Sequence, residues 1–220
     1  MSLVVEKEVR FPSASTDADV RGIIQQGIEG SAHAALILAH GRSGDRDDRL
    51  LRRLAAEAAG VGLWALRLNF RYIDVKAKAS RDLSREEDDL RGAIRVARSA
   101  VPVGPVFLAG KSMGARVCFR ASSDPDVAEV IALGYPLHPR NRPEVRDPPE
   151  WPLLVKPVLF VQGDHDPFCD LGRLEEERTR FTVPNELVVI RDAGHSFEPT
   201  GGKRDTFPEV WEAVRHWIAK

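Results

Sequence analysis

Val106-Phe107-Leu108-Ala109-Gly110-Lys111-Ser112-Met113-Gly114-Ala115-Arg116-Val117-Cys118-Phe119-Arg120 decides the reading of this chain. A short apolar run ends in Gly-x-Ser-x-Gly, and a plausible helix begins at once. That is the strand-to-helix context of a nucleophile elbow. Two glycines permit a tight turn and close packing against neighbouring elements. The turn leaves Ser112 exposed at its tip, near the start of the helix. A free serine hydroxyl is a poor nucleophile, so it requires a base and an acid that orients the base.

Working outward, the run Val106–Ala109 is one of six short apolar runs. The others are Ala34–Ala39, Leu63–Leu68, Val130–Leu133, Val158–Val161 and Leu187–Ile190. Continuous apolar runs of this length suit parallel strands buried on both faces. The segments between them have helical spacing. Arg49 to Ala59 places Leu50, Leu51, Leu54, Ala55 and Ala58 on one side and stops at Gly60. In Arg85 to Ala100, Leu90, Ile94 and Ala97 fall at core spacing, and Ser84 with Glu87 predicts a capping box. Leu171 to Phe181 reads as a charged amphipathic helix, and Phe207 to Ala219 as a helix with Val210, Val214, Trp217 and Ile218 inward. Before Gly30, where the pattern changes, Leu3–Phe11 and Asp19–Ile24 predict an antiparallel hairpin at a sheet edge. Strands alternating with helices argue an α/β fold around a parallel sheet.

The bulk properties narrow the function. A chain of 220 residues suffices for one sizeable core and is short for two, so one domain over 1–220 is expected. A hydrophobic content of 43% with 30% charged residues reads as an ordinary globular protein. A formal net charge of −1 gives no bulk reason to expect nucleic acid or an anionic membrane as partner. Charges interrupt the N-terminus at once, so no signal peptide is read there, and no apolar run is long enough to cross a bilayer. The expected compartment is the cytoplasm. The two cysteines, Cys118 and Cys169, lie far apart and suggest neither a metal site nor a disulfide framework.

Candidates for base and acid come after the serine, in order. Asp192-Ala193-Gly194-His195-Ser196-Phe197 stands directly after the last strand, at the edge of the sheet where ligands bind in open α/β folds. His195 is the expected base. The acid comes from Gln162-Gly163-Asp164-His165-Asp166-Pro167-Phe168. Asp166 is preferred to Asp164, because it lies further into the loop and Pro167 stiffens the chain beyond it; Asp164 then reads as a turn residue. His40-Gly41-Arg42-Ser43-Gly44, after the first apolar run, reads as an oxyanion loop. The backbone N–H groups of Met113 and Arg42 are the expected donors. His40 reads as a structural residue that fixes this loop. Asp45, Asp47 and Asp48 lack a calcium-loop spacing and read as caps of the next helix. After the strand Leu63–Leu68, Phe70 and Tyr72 are expected to line the substrate pocket and Arg71 to recognise an anion. Lys111 and Arg116 have two readings, packing contacts or attraction of a carboxylate-bearing substrate. The proline-rich Tyr135–Pro157 reads as a stiff excursion, or as one whose start walls the pocket.

Taken in order, the four motifs at His40, Gly110, Gly163 and Gly194 resemble the α/β-hydrolase superfamily. More narrowly, Asn69-Phe70-Arg71-Tyr72, Lys111–Arg116 and Val161–Phe168 are similar to a small, lid-poor branch of dienelactone-hydrolase-like and testis-expressed-protein-30-like proteins. The resemblance implies about eight strands, mostly parallel, with helices on both faces and no lid domain. It implies Ser112, Asp166 and His195 as the triad. Ser112 stands where dienelactone hydrolases commonly carry cysteine, so their particular substrate does not transfer. The expected activity is hydrolysis of a small ester or thioester with no metal or organic cofactor. The alternatives are an interaction module of weak turnover, or an amidase or peptidase using the same triad.

Overall fold

The computed structural model describes residues 3–28, 32–144 and 150–220. Gly30 and two prolines of the proline-rich segment, Pro148 and Pro149, lie outside the described residues. The strands are β1 (Val4–Pro12), β2 (Asp19–Gly27), β3 (Ala35–Ala39), β4 (Trp64–Leu68), β5 (Val106–Lys111), β6 (Val127–Leu133), β7 (Val158–Gly163) and β8 (Asn185–Ile190). The helices are α1 (Arg49–Gly60), α2 (Arg71–Asp74), α3 (Ser84–Ala100), α4 (Met113–Ala121), α5 (Leu171–Arg178) and α6 (Phe207–Ile218). All eight strands form one sheet, in the order β1-β2-β4-β3-β5-β6-β7-β8. β1 and β2 make the antiparallel hairpin read from the sequence, and β2 is antiparallel to β4. Every remaining pair is parallel.

The mainly apolar composition of the central strands, complete in β3, reflects burial on both faces. In β3, Ala35, Ile37 and Ala39 join a core that includes Leu90, Ile94 and Ala97 of α3 and Val117 and Phe119 of α4. The alternate residues Leu36 and Leu38 join a second core, built with Leu51, Leu54 and Ala58 of α1 and Val210, Val214 and Trp217 of α6. The period of two along the strand thus feeds two separate layers of helices. Most strands and helices match the boundaries read from the sequence within a few residues. One local expectation does not hold. Ser84 is the first residue of α3 and does not cap it. Its N–H is taken by Asp82 Oδ1 at 3.2 Å, while Glu87 is drawn outward to Arg91 and Arg120. Leu83, in left-handed conformation at φ 60°, precedes the helix and sets a chain direction that a capping box does not use.

The chain leaves β3 towards β4 on one side and returns to β5 on the other. The carboxyl ends of β3 and β5 therefore flank a switch point, the usual ligand-binding crevice of such sheets. Backbones are tightly packed there. A Cβ on Gly114 would lie 2.3 Å from the Ala39 carbonyl oxygen, and one on Gly110 would lie 2.3 Å from Gly114 itself. Gly114→Ala is expected to lower the unfolding free energy by about 1–3 kcal/mol, the usual cost of overpacking a filled site. Urea denaturation checks it, and a midpoint equal to wild type would contradict the packing described.

Candidate active site

Ser112 occupies the turn between β5 and α4, with φ 54° and ψ −117°. A non-glycine residue in this region is strained. The strain is held by its surroundings: the Ser112 N–H donates to the Leu133 carbonyl of β6 at 2.9 Å, and its carbonyl accepts from Ala115. The hydroxyl is thereby projected above the ends of the strands, where the loops after β3, β7 and β8 converge.

His195, in the loop after β8, places Nε2 2.9 Å from Ser112 Oγ. Its other ring nitrogen, Nδ1, lies 2.7 Å from Asp166 Oδ2. A carboxylate only accepts, so Nδ1 carries the proton and Nε2 is free to accept from the serine. The Asp166 side chain is fully buried, whereas the imidazole retains partial access to solvent. Asp166 is oriented in turn by the Phe168 N–H, which donates to Oδ1 at 2.8 Å, and by Gln162 Nε2, 2.5 Å from Oδ2. Gln162 is fully buried at the end of β7, and its Oε1 accepts from the Tyr135 N–H at 2.9 Å. It therefore ties the acid to the end of β6. Sequence reasoning does not single out Gln162. Its only signal is a polar residue closing an otherwise apolar strand. Asp164 faces elsewhere, accepting from the Ala193 N–H and pairing with the exposed His165.

The loop after β3 packs against the nucleophile turn: a Cβ on Gly41 would lie 3.4 Å from Ser112 Cβ. His40, fully buried, fixes this loop from beneath. Its Nδ1 donates to the Gly41 carbonyl at 2.7 Å and its Nε2 accepts from the Phe70 N–H at 3.1 Å. The bond accepted by Nε2 requires the neutral ring, and burial pushes the His40 pKa below its ordinary value. Tyr72 adds a second tether, its hydroxyl donating to the Arg42 carbonyl at 2.8 Å. Among the described residues the N–H groups of Met113 and Arg42 have no acceptor within the protein.

A cavity of about 710 Å³ opens over Ser112 and His195. One side is the loop Gly41–Gly44 and the other is Pro136–Pro139, so the beginning of the proline-rich segment does wall it. Phe168 packs on the His195 ring with centroids 4.5 Å apart. Three cations reach the cavity wall. Lys111 is held by Asp48 at 2.6 Å, and Arg116 by Glu150 at 2.8 and 3.0 Å, whereas Arg42 has no carboxylate partner among the described residues. Asp48 also caps α1, as its position in the sequence suggests.

Phe70, Arg71 and Tyr72, expected on the pocket wall, are placed behind it. Phe70 is fully buried and packs edge-on against His40. Tyr72 is buried with its hydroxyl spent on Arg42. Arg71 turns away, to Asp88 at 2.9 Å and Thr16 at 2.9 Å, while its N–H donates to Asp89. The physical reason is that α2 begins at Arg71: Phe70 at its cap and Tyr72 in its first turn pack under the loop after β3, while Arg71 is directed to Asp88 and Thr16. Cys118 and Cys169 are both buried, and burial raises the pKa of both thiols, which disfavours their thiolate forms. Among the described residues, Asp164, His165 and Asp192 bring three potential metal-ligand atoms within 4.8 Å of one another. The first two are already bonded to each other.

Comparison with known proteins gives the family and the fold. Residues 32–220 match the model of the alpha/beta hydrolase domain family, and the chain belongs to that family. Its fold is similar to dienelactone hydrolase from Anabaena variabilis, with a TM-score of 0.77 at 19% identity over 98% of this chain and 97% of that one. It is also similar to a lid-less α/β serine hydrolase from Xanthomonas campestris, with a TM-score of 0.74 at 20% identity over 97% and 96%. An esterase from Pyrococcus furiosus gives 0.74 at 17% identity over 97% and 93%. Among the described residues no helix is long and apolar enough to cross a membrane.

The buried neutral His40 carries a pH dependence. The unfolded chain protonates this ring near its ordinary pKa of 6.5, whereas the folded protein resists doing so. Folded protein therefore binds fewer protons below pH 6.5, and stability falls as pH drops through that value. The slope from this one group has a ceiling of about 1.4 kcal/mol per pH unit. Denaturation of wild type and His40→Gln between about pH 7 and pH 5 checks it. The variant is expected to start less stable and to lose less on acidification; parallel slopes would contradict the assignment.

Proposed function

We propose that this protein is a serine hydrolase of small esters or thioesters, working through Ser112, His195 and Asp166 and an acyl-enzyme. The observation that carries the reading is the relay Ser112 Oγ–His195 Nε2 at 2.9 Å and His195 Nδ1–Asp166 at 2.7 Å. Ser112 Oγ attacks the acyl carbonyl while Nε2 takes its proton. The tetrahedral oxyanion is held by the N–H groups of Met113 and Arg42. The Nε2 proton then passes to the departing alkoxide or thiolate, and the carbonyl re-forms as an ester of Ser112. Water, deprotonated by the same nitrogen, attacks that ester and releases the carboxylic acid and free Ser112. Asp166 keeps the ring in the required tautomer and stabilises the imidazolium.

The cavity volume suits a small substrate, since ligand sites span about 300–1,000 Å³. The esterase and serine-hydrolase names of two proteins of similar fold add support at the level of reaction class.

Hydrolysis of p-nitrophenyl esters with acyl chains from two to twelve carbons tests the reading, with labelling by a fluorophosphonate probe in parallel. Wild type is expected to turn over and to label, and Ser112→Ala to do neither while remaining folded. Labelling of the alanine variant would exclude Ser112 as nucleophile. The choice of acid has its own test. Asp166→Asn is expected to lower kcat on the order of 10⁴-fold, as the same change does in a Ser-His-Asp protease. Asp164→Asn is expected to stay near wild type, and equal losses would remove Asp166 from its role.

A further inference from the structure

A second cavity, of about 420 Å³, adjoins the first. Asp48, Lys111 and Ser196 line both, so the Lys111–Asp48 ion pair stands between them. Lys111 immediately precedes the nucleophile in the chain and Ser196 immediately succeeds the base. Ser112 and His195 do not line the second cavity; it adjoins the first on the side of the loop that carries the imidazole, through Ser196–Pro199. In the reaction proposed above, that is the side on which Nε2 protonates the leaving group.

Its charge is lopsided. Five cationic side chains and three carboxylates line it. Lys111 is held by Asp48, Arg53 by both oxygens of Asp205 at 2.8 and 2.7 Å, and Arg204 by Glu209. Glu198 accepts from the Ser196 N–H at 2.7 Å. Arg49 and Lys203 have no ion-pair or hydrogen-bond partner among the described residues. Among the described residues, Arg49 and Lys203 are the lining cations without a carboxylate partner, and Glu198 is the lining carboxylate without a cation. We propose that this cavity receives the leaving-group portion of the substrate, and that this portion ends in a phosphate monoester held by Arg49 and Lys203. The inference rests on the hydrolase reading, because that reading orients the substrate. A phosphate monoester can take a charge-assisted bond from each of these two cations, and cations placed along a cleft also speed the capture of an anionic substrate. The substrate class becomes a small acyl ester or thioester of a phosphorylated alcohol or thiol.

The test compares two esters of one acyl group: the butyryl ester of 4-hydroxybutyl phosphate, and butyl butyrate. Release of butyric acid is followed by pH-stat at low ionic strength. Wild type is expected to favour the phosphorylated ester by about tenfold or more in kcat/KM, carried mainly by KM, and to lose most of this preference in about 0.5 M salt. The exposed double change Arg49→Gln with Lys203→Gln is expected to bring the ratio close to one while leaving butyl butyrate hydrolysis unchanged. Free 4-hydroxybutyl phosphate is expected to inhibit wild type competitively and the double variant far more weakly. Turnover of butyl butyrate with no preference for the phosphorylated ester would overturn this inference and leave the hydrolase reading intact. A preference that survives the double change would overturn the assignment to Arg49 and Lys203. A folded protein that hydrolyses neither ester would overturn the hydrolase reading and this inference with it.

Discussion

The close approach of three backbones at the end of β5 is the constraint on which the rest of this structure depends. Gly110 and Gly114 touch each other, and Gly114 also meets the Ala39 carbonyl of β3. With no side chains between them, the chain can reverse within a few residues and start α4 directly under the turn. Ser112 is then held at positive φ, a conformation that its own preferences oppose and its neighbours enforce. Remove either glycine and the helix must move away from the sheet. The serine hydroxyl would move with it, losing its 2.9 Å relation to His195.

Around that turn the polar groups form a closed chain of support. Gln162 spans from the Tyr135 N–H to Asp166, Asp166 to His195, and His195 to Ser112. Each member is fixed by the next, and the deepest members are the least exposed. A buried polar group costs free energy unless it is bonded, so full satisfaction of Asp166 also gives the loop after β7 a single arrangement. His40 does the equivalent work beneath the loop after β3. Its two ring nitrogens join that loop to the start of α2, and burial favours the neutral ring that the bond to Nε2 demands. Charge near the site is mostly neutralised in pairs, Lys111 with Asp48 and Arg116 with Glu150. Among the described residues, Arg42, Arg49 and Lys203 are the cations on the cavity walls that lack an ion pair.

Much of this is legible in the chain. The apolar runs of β3 to β7 announce burial on both faces, and the helical stripes of α1, α3 and α6 announce which residues meet them, because hydrophobic periodicity is a local property. Gly-x-Ser-x-Gly announces the turn, since few residue types tolerate it. The preference for Asp166 over Asp164 rests on loop position and on Pro167; in the structure Asp166 faces the imidazole, while Asp164 accepts from the Ala193 N–H of the loop after β8. Phe70, Arg71 and Tyr72 lie away from their expected place for an instructive reason. They do stand after a strand at the correct edge of the sheet. At the helix that begins at Arg71, however, Phe70 and Tyr72 pack beneath the loop after β3 and Arg71 turns away to Asp88, and sequence position cannot distinguish a wall from its foundation.

The sequence by itself determined the alternation of elements, the strand-to-helix turn at Ser112 and the family to which the chain belongs. These depend on periodicity and on residue types at short spacing. Tertiary structure alone decided which groups meet. It brought Gln162 to Asp166, drew Glu87 away from the start of α3 towards Arg91 and Arg120, and paired Lys111 with Asp48, 63 positions apart. It also placed two cavities side by side across that last pair. Contacts between distant residues arise from how the layers of helices close on the sheet, and no local pattern in the chain records that closure.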